Sequence, residues 1–186
     1  MKKYVYGIFA ATALLSCGKK QETTQGPWFQ VPAYMKDEIS ALKKANPSIS
    51  KTLVWGEEIR SAEEDSVDWE RELALWERMD LNRAEWSFTF DSTVKPTPDG
   101  GRFVLYETRE QKPELRSVSL LYNKQQELLV VEADWEEHNF WMHRSYRLSY
   151  LPGKGYNVKG WQQALWEERK EFEIFADIHN RSFLNH

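Results

Sequence analysis

The feature that most constrains the fold is a switch in hydrophobic spacing near the middle of the chain. From residue 86 onward, large apolar residues recur at every second position, as in Trp86, Phe88 and Phe90, which alternate with Ser87 and Thr89. Such alternation is typical of a β-strand with one buried face. Turn-forming stretches separate the strand patterns, and they lie at residues 96–101, 123–127, 136–139 and 152–155. Strands joined by such short turns pair antiparallel, so this half of the chain is predicted to form a run of hairpins.

Two helices are predicted before this region. Apolar residues have helical spacing over about 33–45, and Asn46-Pro47 would end that helix. Asp65 to Asp68 offer a helix cap, and the stripe formed by Trp69, Leu73 and Trp76 predicts a second helix running to about Leu81. Between the two helices, residues 51–55 fit a short strand.

The C-terminal segment, residues 161–178, fits two structures. Trp161, Leu165 and Phe172 fit a helical stripe, whereas Phe172, Ile174 and Ala176 alternate with charged residues as in a strand. We favour a final strand over about 170–178 because it completes the run of hairpins, and a helix is the alternative.

Together these elements predict an α+β fold in which two N-terminal helices pack on a curled antiparallel meander sheet of six or seven strands, half-barrel or barrel-like. A sheet of this width exceeds what two helices cover, so part of its apolar face is expected to remain as a groove for an apolar ligand or a partner. Ordinary core packing of the same aromatic residues is the alternative. The predicted groove residues are Trp86, Phe88, Phe90, Val131, Trp135, Tyr146, Leu148 and Tyr150.

The N-terminus has the layout of a bacterial export signal. Lys2 and Lys3 form a positive start, and Val5 to Leu15 form an uncharged, mostly apolar segment of eleven residues. That length suits a signal peptide and is too short to span about 30 Å of hydrocarbon. Ser16 and then Cys17, the only cysteine, follow this segment. The sequence Leu14-Leu15-Ser16-Cys17 resembles a lipobox, the cleavage site of bacterial lipoproteins; an ordinary secretory leader with an incidental cysteine is the alternative.

The resemblance to bacterial lipoproteins implies that residues 1–16 are a signal peptide and that Cys17 carries the acyl chains. Two or more chains hold a protein firmly on a bilayer, since each buried methylene contributes about 0.8 kcal/mol. Gly18, where an Asp would favour the inner membrane, implies the outer membrane of a Gram-negative cell envelope. We read residues 17–26 as the lipidated cysteine and a polar tether, and residues 27–186 as one globular domain. The body resembles small Gram-negative lipoproteins of unassigned function, and its architecture is similar to envelope half-barrels that carry lipid or lipoprotein chains.

Composition excludes several classes of protein. The mean hydropathy of −0.70 rules out a multi-span membrane protein. Aromatic residues make up 14% of the chain, too many for a disordered protein. A net charge of −4 without a basic run lacks the footprint of a nucleic-acid binder. A single cysteine rules out a disulfide framework and a cysteine-based zinc site.

The histidines do not predict a metal site. His138 and His143 are five positions apart, so on one strand they would face opposite sides of the sheet. His179 and His186 lie in the C-terminal tail. We therefore expect no metal ligands and no cofactor.

Two acidic clusters are candidates for chemistry. Asp134, Glu136 and Glu137 precede His138 and could supply general acid–base groups, although acidic turns are more often solvated corners. The acidic run at residues 63–68 lacks the spacing of a calcium loop and is better explained by helix capping.

We predict a lipid-anchored, non-enzymatic envelope protein that binds a partner protein or an apolar ligand. The alternatives are an envelope enzyme with a site assembled from scattered polar residues, and a structural or immunity-type surface protein. No catalytic residue is assigned.

Overall fold

The computed structural model describes residues 27–86, 88–111 and 113–179. The predicted signal peptide, Cys17 and the tether lie outside these residues, as does His186. Two helices and nine strands follow one another along the described chain. In chain order they are α1 Val31–Ala45, β1 Ser48–Trp55, β2 Glu58–Glu64, α2 Trp69–Glu77, β3 Phe90–Pro96, β4 Arg102–Thr108, β5 Leu115–Tyr122, β6 Leu128–His138, β7 Met142–Leu151, β8 Gly155–Ala164 and β9 Lys170–His179.

All nine strands belong to one antiparallel sheet with the order β2-β1-β9-β8-β7-β6-β5-β4-β3. Strands β3 to β9 form a meander, and the β1–β2 hairpin joins this meander because β1 pairs with β9. The sheet is open, with β2 and β3 at its two edges. The connections between strands lie at two opposite ends of the strands. We call the end with the connections at residues 109–114, 139–141 and 165–169 the loop end. The other end, with the connections at 97–101, 123–127 and 152–154, is the turn end.

Both helices cover the same face of this sheet. Asn46 caps the C-terminus of helix α1: its N–H donates to the Leu42 carbonyl, and its left-handed backbone turns the chain out of the helix. Helix α2 begins at Asp68, whose carboxylate accepts the backbone N–H of Arg71 at 3.2 Å. The helices bury one apolar stripe each, formed by Val31, Met35, Ile39 and Leu42 in α1 and by Trp69, Leu73 and Trp76 in α2.

The core lies between α2 and the central strands. The Trp76 ring contacts Tyr156 edge-on with a centroid distance of 4.9 Å, and it contacts Tyr150 at 6.1 Å. Next to them, the rings of Trp86 and Trp135 meet at 6.1 Å. Edge-to-face contacts of this kind contribute about 0.5–1.5 kcal/mol beyond the burial of their area. The prediction that α2 docks on the sheet through its Trp69, Leu73 and Trp76 stripe is confirmed.

The predicted fold class is wrong. The molecule is dominated by an open nine-stranded sheet, whereas we expected two helices on a curled meander of six or seven strands that formed a half-barrel or barrel. The two strands beyond the expected seven are β1 and β2, whose hairpin joins the meander through β9. Strand β2, with the sequence Glu-Ile-Arg-Ser-Ala-Glu-Glu, is exposed over nearly its whole length, and only Phe90 of β3 is buried. An edge strand without a buried face leaves no hydrophobic alternation to detect.

The boundaries of other elements differ less. The predicted strand around Trp86, Phe88 and Phe90 is wrong in its first half, because the chain turns through Trp86 and Thr89 and β3 begins at Phe90. Helix α2 ends at Glu77, four residues before the predicted end. The final strand is confirmed as Lys170–His179, since β9 fills the gap between β8 and β1.

Candidate functional site

Seven of the eight predicted groove residues lie in the core. Their side chains are 0–8% exposed, because the helices and the residues that follow α2 fill the space above the sheet. These seven residues are Trp86, Phe90, Val131, Trp135, Tyr146, Leu148 and Tyr150. The eighth, Phe88, is 97% exposed. These seven side chains therefore form part of the packed interior and do not line a groove. A functional site must lie elsewhere on the molecule.

Carboxylates on the helices meet tyrosines of the sheet at the margin of this core. The Tyr150 hydroxyl donates to Glu38 at 2.8 Å, and the Tyr156 hydroxyl donates to Glu72. Glu72 also accepts the ammonium of Lys51 at 3.1 Å. Burial, with the nearby Glu38 second, raises the pKa of Tyr150 far above its ordinary value. These bonds join both helices to the sheet, and they satisfy the hydroxyl groups of Tyr150 and Tyr156 on the covered face.

The acidic cluster predicted at residues 134–138 is divided between the two faces of the sheet. Successive side chains on a strand point to opposite faces. Asp134 and Glu136 therefore lie on the outer face, where Asp134 accepts two hydrogen bonds from Arg147 at 2.7 and 3.0 Å. Glu137 lies on the helix-covered face and pairs with Arg144 at 2.5 Å. The cluster therefore forms separate ion pairs and not one group of acids.

Near the loop end, Glu136 is the centre of a small polar network. One carboxylate oxygen lies 3.2 Å from Nε2 of His143, and the other accepts Nε of Arg116 at 3.0 Å. The hydrogen bond from Arg116, followed by that from His143, lowers the pKa of Glu136. The network borders a surface depression of about 400 Å³, which we call the polar depression. Its lining residues are Gln111, Glu114, Arg116, Glu136, His138 and His143.

The two histidines meet across a hairpin. His138 ends β6 and His143 is its partner on β7, which places the two ring centroids 4.9 Å apart. The expectation that they face opposite sides assumed a single strand and is wrong, since the chain reverses between them. Within the described ranges, no group of three or more histidine, cysteine, aspartate or glutamate residues could hold a metal ion.

Four large apolar side chains project from two neighbouring loops beside the polar depression. Phe140, Trp141, Leu165 and Trp166 are 45–88% exposed, and we call them the aromatic loop patch. Phe140 and Trp141 belong to the β6–β7 connection, and Leu165 and Trp166 belong to the β8–β9 connection. A depression of about 220 Å³ joins the two loops and shares His138 and His143 with the polar depression.

Hydrogen bonds hold the two loops of the patch in place. The side-chain oxygen of Asn139 accepts the backbone N–H groups of Trp141 and Met142, both at 2.9 Å. The Leu165 N–H donates to the Trp141 carbonyl at 3.0 Å, which connects one loop to the other. Phe140 and Trp141 contact each other edge-on at 4.8 Å. The patch is thus a defined surface, because its backbone is fixed while its side chains face solvent.

The sequence pattern does not predict a site at these four residues. Phe140 continues the even spacing of Met142 and Tyr146, which is typical of a strand, and Leu165 fits the helix alternative for residues 161–178. The usable signal was the turn residue Asn139, since two aromatic residues directly after it stand in a turn and have no sheet face to bury.

Comparisons of the chain with family models, with curated proteins and with solved structures gave no match in any of the three. Within the part of the chain that the structure describes, neither helix is long and apolar enough to cross a membrane.

Proposed function

We propose that this protein is a lipid-anchored, non-enzymatic protein of the cell envelope that binds its partner through the aromatic loop patch. The anchor is Cys17, which the lipobox-like sequence Leu14-Leu15-Ser16-Cys17 places behind a leader of signal-peptide length. The Gly18 that follows it favours the outer membrane. The observation that carries the binding function is the exposure of Phe140, Trp141, Leu165 and Trp166 together on adjacent loops.

A soluble protein rarely leaves large apolar side chains in one contiguous group, and such a group beside polar residues marks an interaction site. Tryptophan and phenylalanine also supply most of the energy where proteins bind other molecules. The polar depression next to the patch provides a rim of hydrogen-bonding groups, in Arg116, His138 and His143.

The helix-covered face supports this assignment. Trp135, Leu148 and Tyr150 are at most 1% exposed, so they have no surface left for a ligand in this conformation. An acyl chain that bound there would have to displace α2, whose Trp76 contacts Tyr150 and Tyr156. The loops reach solvent without any such rearrangement.

The experiment is to measure whether the patch is covered in cells. Glu168→Cys places a thiol beside Trp166 without altering the patch, and Gln125→Cys places a matched thiol at the turn end. In intact envelopes, we expect a water-soluble maleimide to label position 168 more slowly than position 125, and detergent should remove the difference. Equal labelling rates in the envelope would show that the patch is free and would contradict its role in binding.

The anchor is tested separately. Cys17→Ala removes the thiol that would be acylated, so the protein should leave the membrane fraction or accumulate as an uncleaved precursor. Normal processing together with normal membrane retention in that variant would contradict the lipoprotein assignment.

A further inference from the structure

The chain enters the globular body near the same end of the sheet as the aromatic loop patch. The Trp28 N–H donates to the Asn82 side chain at 3.0 Å, and the Trp28 ring lies 5.7 Å from Tyr106. Tyr106 is two residues from the end of β4 at the loop end, and Asn82 belongs to the connection that leads to β3 at this end. Pro27, the first described residue, is therefore on the loop-end half of the molecule.

Chain length limits how far the body can stand from its anchor. Nine residues, 18–26, separate Cys17 from Pro27, and a fully extended chain of that length spans about 30 Å. The eleven residues of β6 span about 35 Å from the turn end to the loop end. A membrane that holds Cys17 is therefore within reach of the loop end, whereas reaching the turn end requires the linker to run back along the sheet.

The side chains of the patch suit the boundary between lipid and water. Tryptophan is enriched at the headgroup level of membranes, where its ring is buried and its N–H stays hydrated. Trp141 and Trp166 provide two such rings, and Phe140 and Leu165 add purely apolar area.

Charges at this end do not favour an electrostatic attachment. Glu110 and Glu168 are exposed, and the exposed guanidinium of Arg109 is paired with Asp91 at 2.9 Å. Attraction to anionic lipid requires a cluster of free basic side chains. Contact with a bilayer would therefore depend on insertion of the aromatic side chains, and it should not depend on the content of anionic lipid.

We propose that the aromatic loop patch inserts into the interfacial region of the phospholipid bilayer that holds Cys17. The inference rests on the proposed function and names the partner of the patch as the membrane surface. Two attachments, the lipidated cysteine and the loops, then fix the orientation of the sheet, with its turn end pointing away from the membrane.

The test uses the lipidated mature chain, residues 17–186, in vesicles of phosphatidylethanolamine and phosphatidylglycerol. An environment-sensitive fluorophore is attached at Glu168→Cys or, as the matched control, at Gln125→Cys. Position 168 should show a blue-shifted emission that spin-labelled lipid quenches, and position 125 should show neither. The combined variant Trp141→Ser and Trp166→Ser, made in the Glu168→Cys background, should lose the blue shift and still float with the vesicles. Omitting phosphatidylglycerol should leave the signal unchanged.

Two results would overturn the inference in different ways. If the chain floats with vesicles but position 168 emits as in water, the anchor is valid and the patch does not touch the bilayer. The same conclusion follows if the blue shift depends on protein density and not on spin-labelled lipid, because a second copy of the chain then covers the patch. If the chain does not float at all, the lipid anchor itself is wrong, and the inference that rests on it is wrong as well.

Discussion

The molecule has two aromatic regions with opposite environments. In the core, Trp76, Trp135 and Tyr150 are at most 1% exposed, and the helices and the strands surround them on all sides. In the aromatic loop patch, Trp141 and Trp166 are mostly exposed, although the backbone around them is well held by hydrogen bonds. The same residue types therefore contribute to stability in one region and are available for binding in the other. What separates them is position, because the core residues alternate along strands or line a helix and the patch residues stand in connections.

The largest effect is expected in the core. Trp76→Ala should lower the free energy of unfolding by about 3–5 kcal/mol, because it leaves a cavity between α2 and the sheet and removes the contacts to Tyr150 and Tyr156. Chemical denaturation monitored by circular dichroism measures this change.

The matched control for that variant is Trp166→Ala, which removes a tryptophan side chain from the aromatic loop patch. Its free energy of unfolding should change by no more than about 0.5 kcal/mol, as is usual for surface positions. Equal losses of stability in the two variants would contradict the distinction between a core and an exposed patch.

A smaller effect is expected at the start of α2, which carries Trp76 into the core. Asp68→Ala removes the carboxylate that accepts the Arg71 N–H, and it should destabilise the protein by about 1 kcal/mol. Asp68→Asn keeps an acceptor oxygen and should be close to the wild type. Thermal unfolding measures the stability of the wild type and of the two variants. If the asparagine variant loses as much stability as the alanine variant, capping by Asp68 is not the cause of the loss.

A pH-dependent effect is expected in the polar depression beside the patch. Arg116, followed by His143, lowers the pKa of Glu136, so the folded state favours the ionised carboxylate. The resulting stabilisation is present above the unfolded pKa of Glu136, and it is lost as the pH falls through the lower pKa of the folded state. Because the side chain is partly exposed, we expect about 1 kcal/mol or less.

The comparison of wild type with Glu136→Gln isolates this contribution. The wild type should be the more stable chain at pH 7, and the difference should shrink as the pH falls below the ordinary range of a glutamate. A difference that stays constant down to pH 3 would mean that ionisation of Glu136 does not contribute.

Periodicity predicted the parts of the fold that bury one face. The Trp69, Leu73 and Trp76 stripe identified α2, and alternation from Phe172 to Ala176 identified the final strand. It could not predict β2, because an edge strand with charged residues on both sides has no apolar period. It also could not show that β1 pairs with β9, a contact between residues more than a hundred positions apart, and this pairing determines the width of the sheet.

The candidate site was harder to predict than the fold. The alternation correctly placed Val131, Trp135 and Leu148 on the face of the sheet that carries the helices, but whether that face stays open depends on how the helices cross it. No local pattern contains that information. The patch residue Phe140 continues the even spacing of β7 and so fits a strand pattern, whereas Asn139 holds Phe140 and Trp141 in a turn outside the strand.

The sharpest comparison between the two regions comes from removing both tryptophans of the patch. The combined variant Trp141→Ser and Trp166→Ser should leave the free energy of unfolding within about 1 kcal/mol of the wild type, since each substitution takes away an exposed ring. Its effect should fall on binding. In intact envelopes, a thiol at Glu168→Cys should become as reactive toward a water-soluble maleimide as one at Gln125→Cys.

The matched control for this double variant is Phe175→Ser, which removes an exposed aromatic ring from the outer face of β9, away from the loops. It should leave the labelling of position 168 slow. If the double variant unfolds as readily as Trp76→Ala, the patch is part of the core; if it is stable and position 168 stays protected, some other surface of the loop end makes the contact.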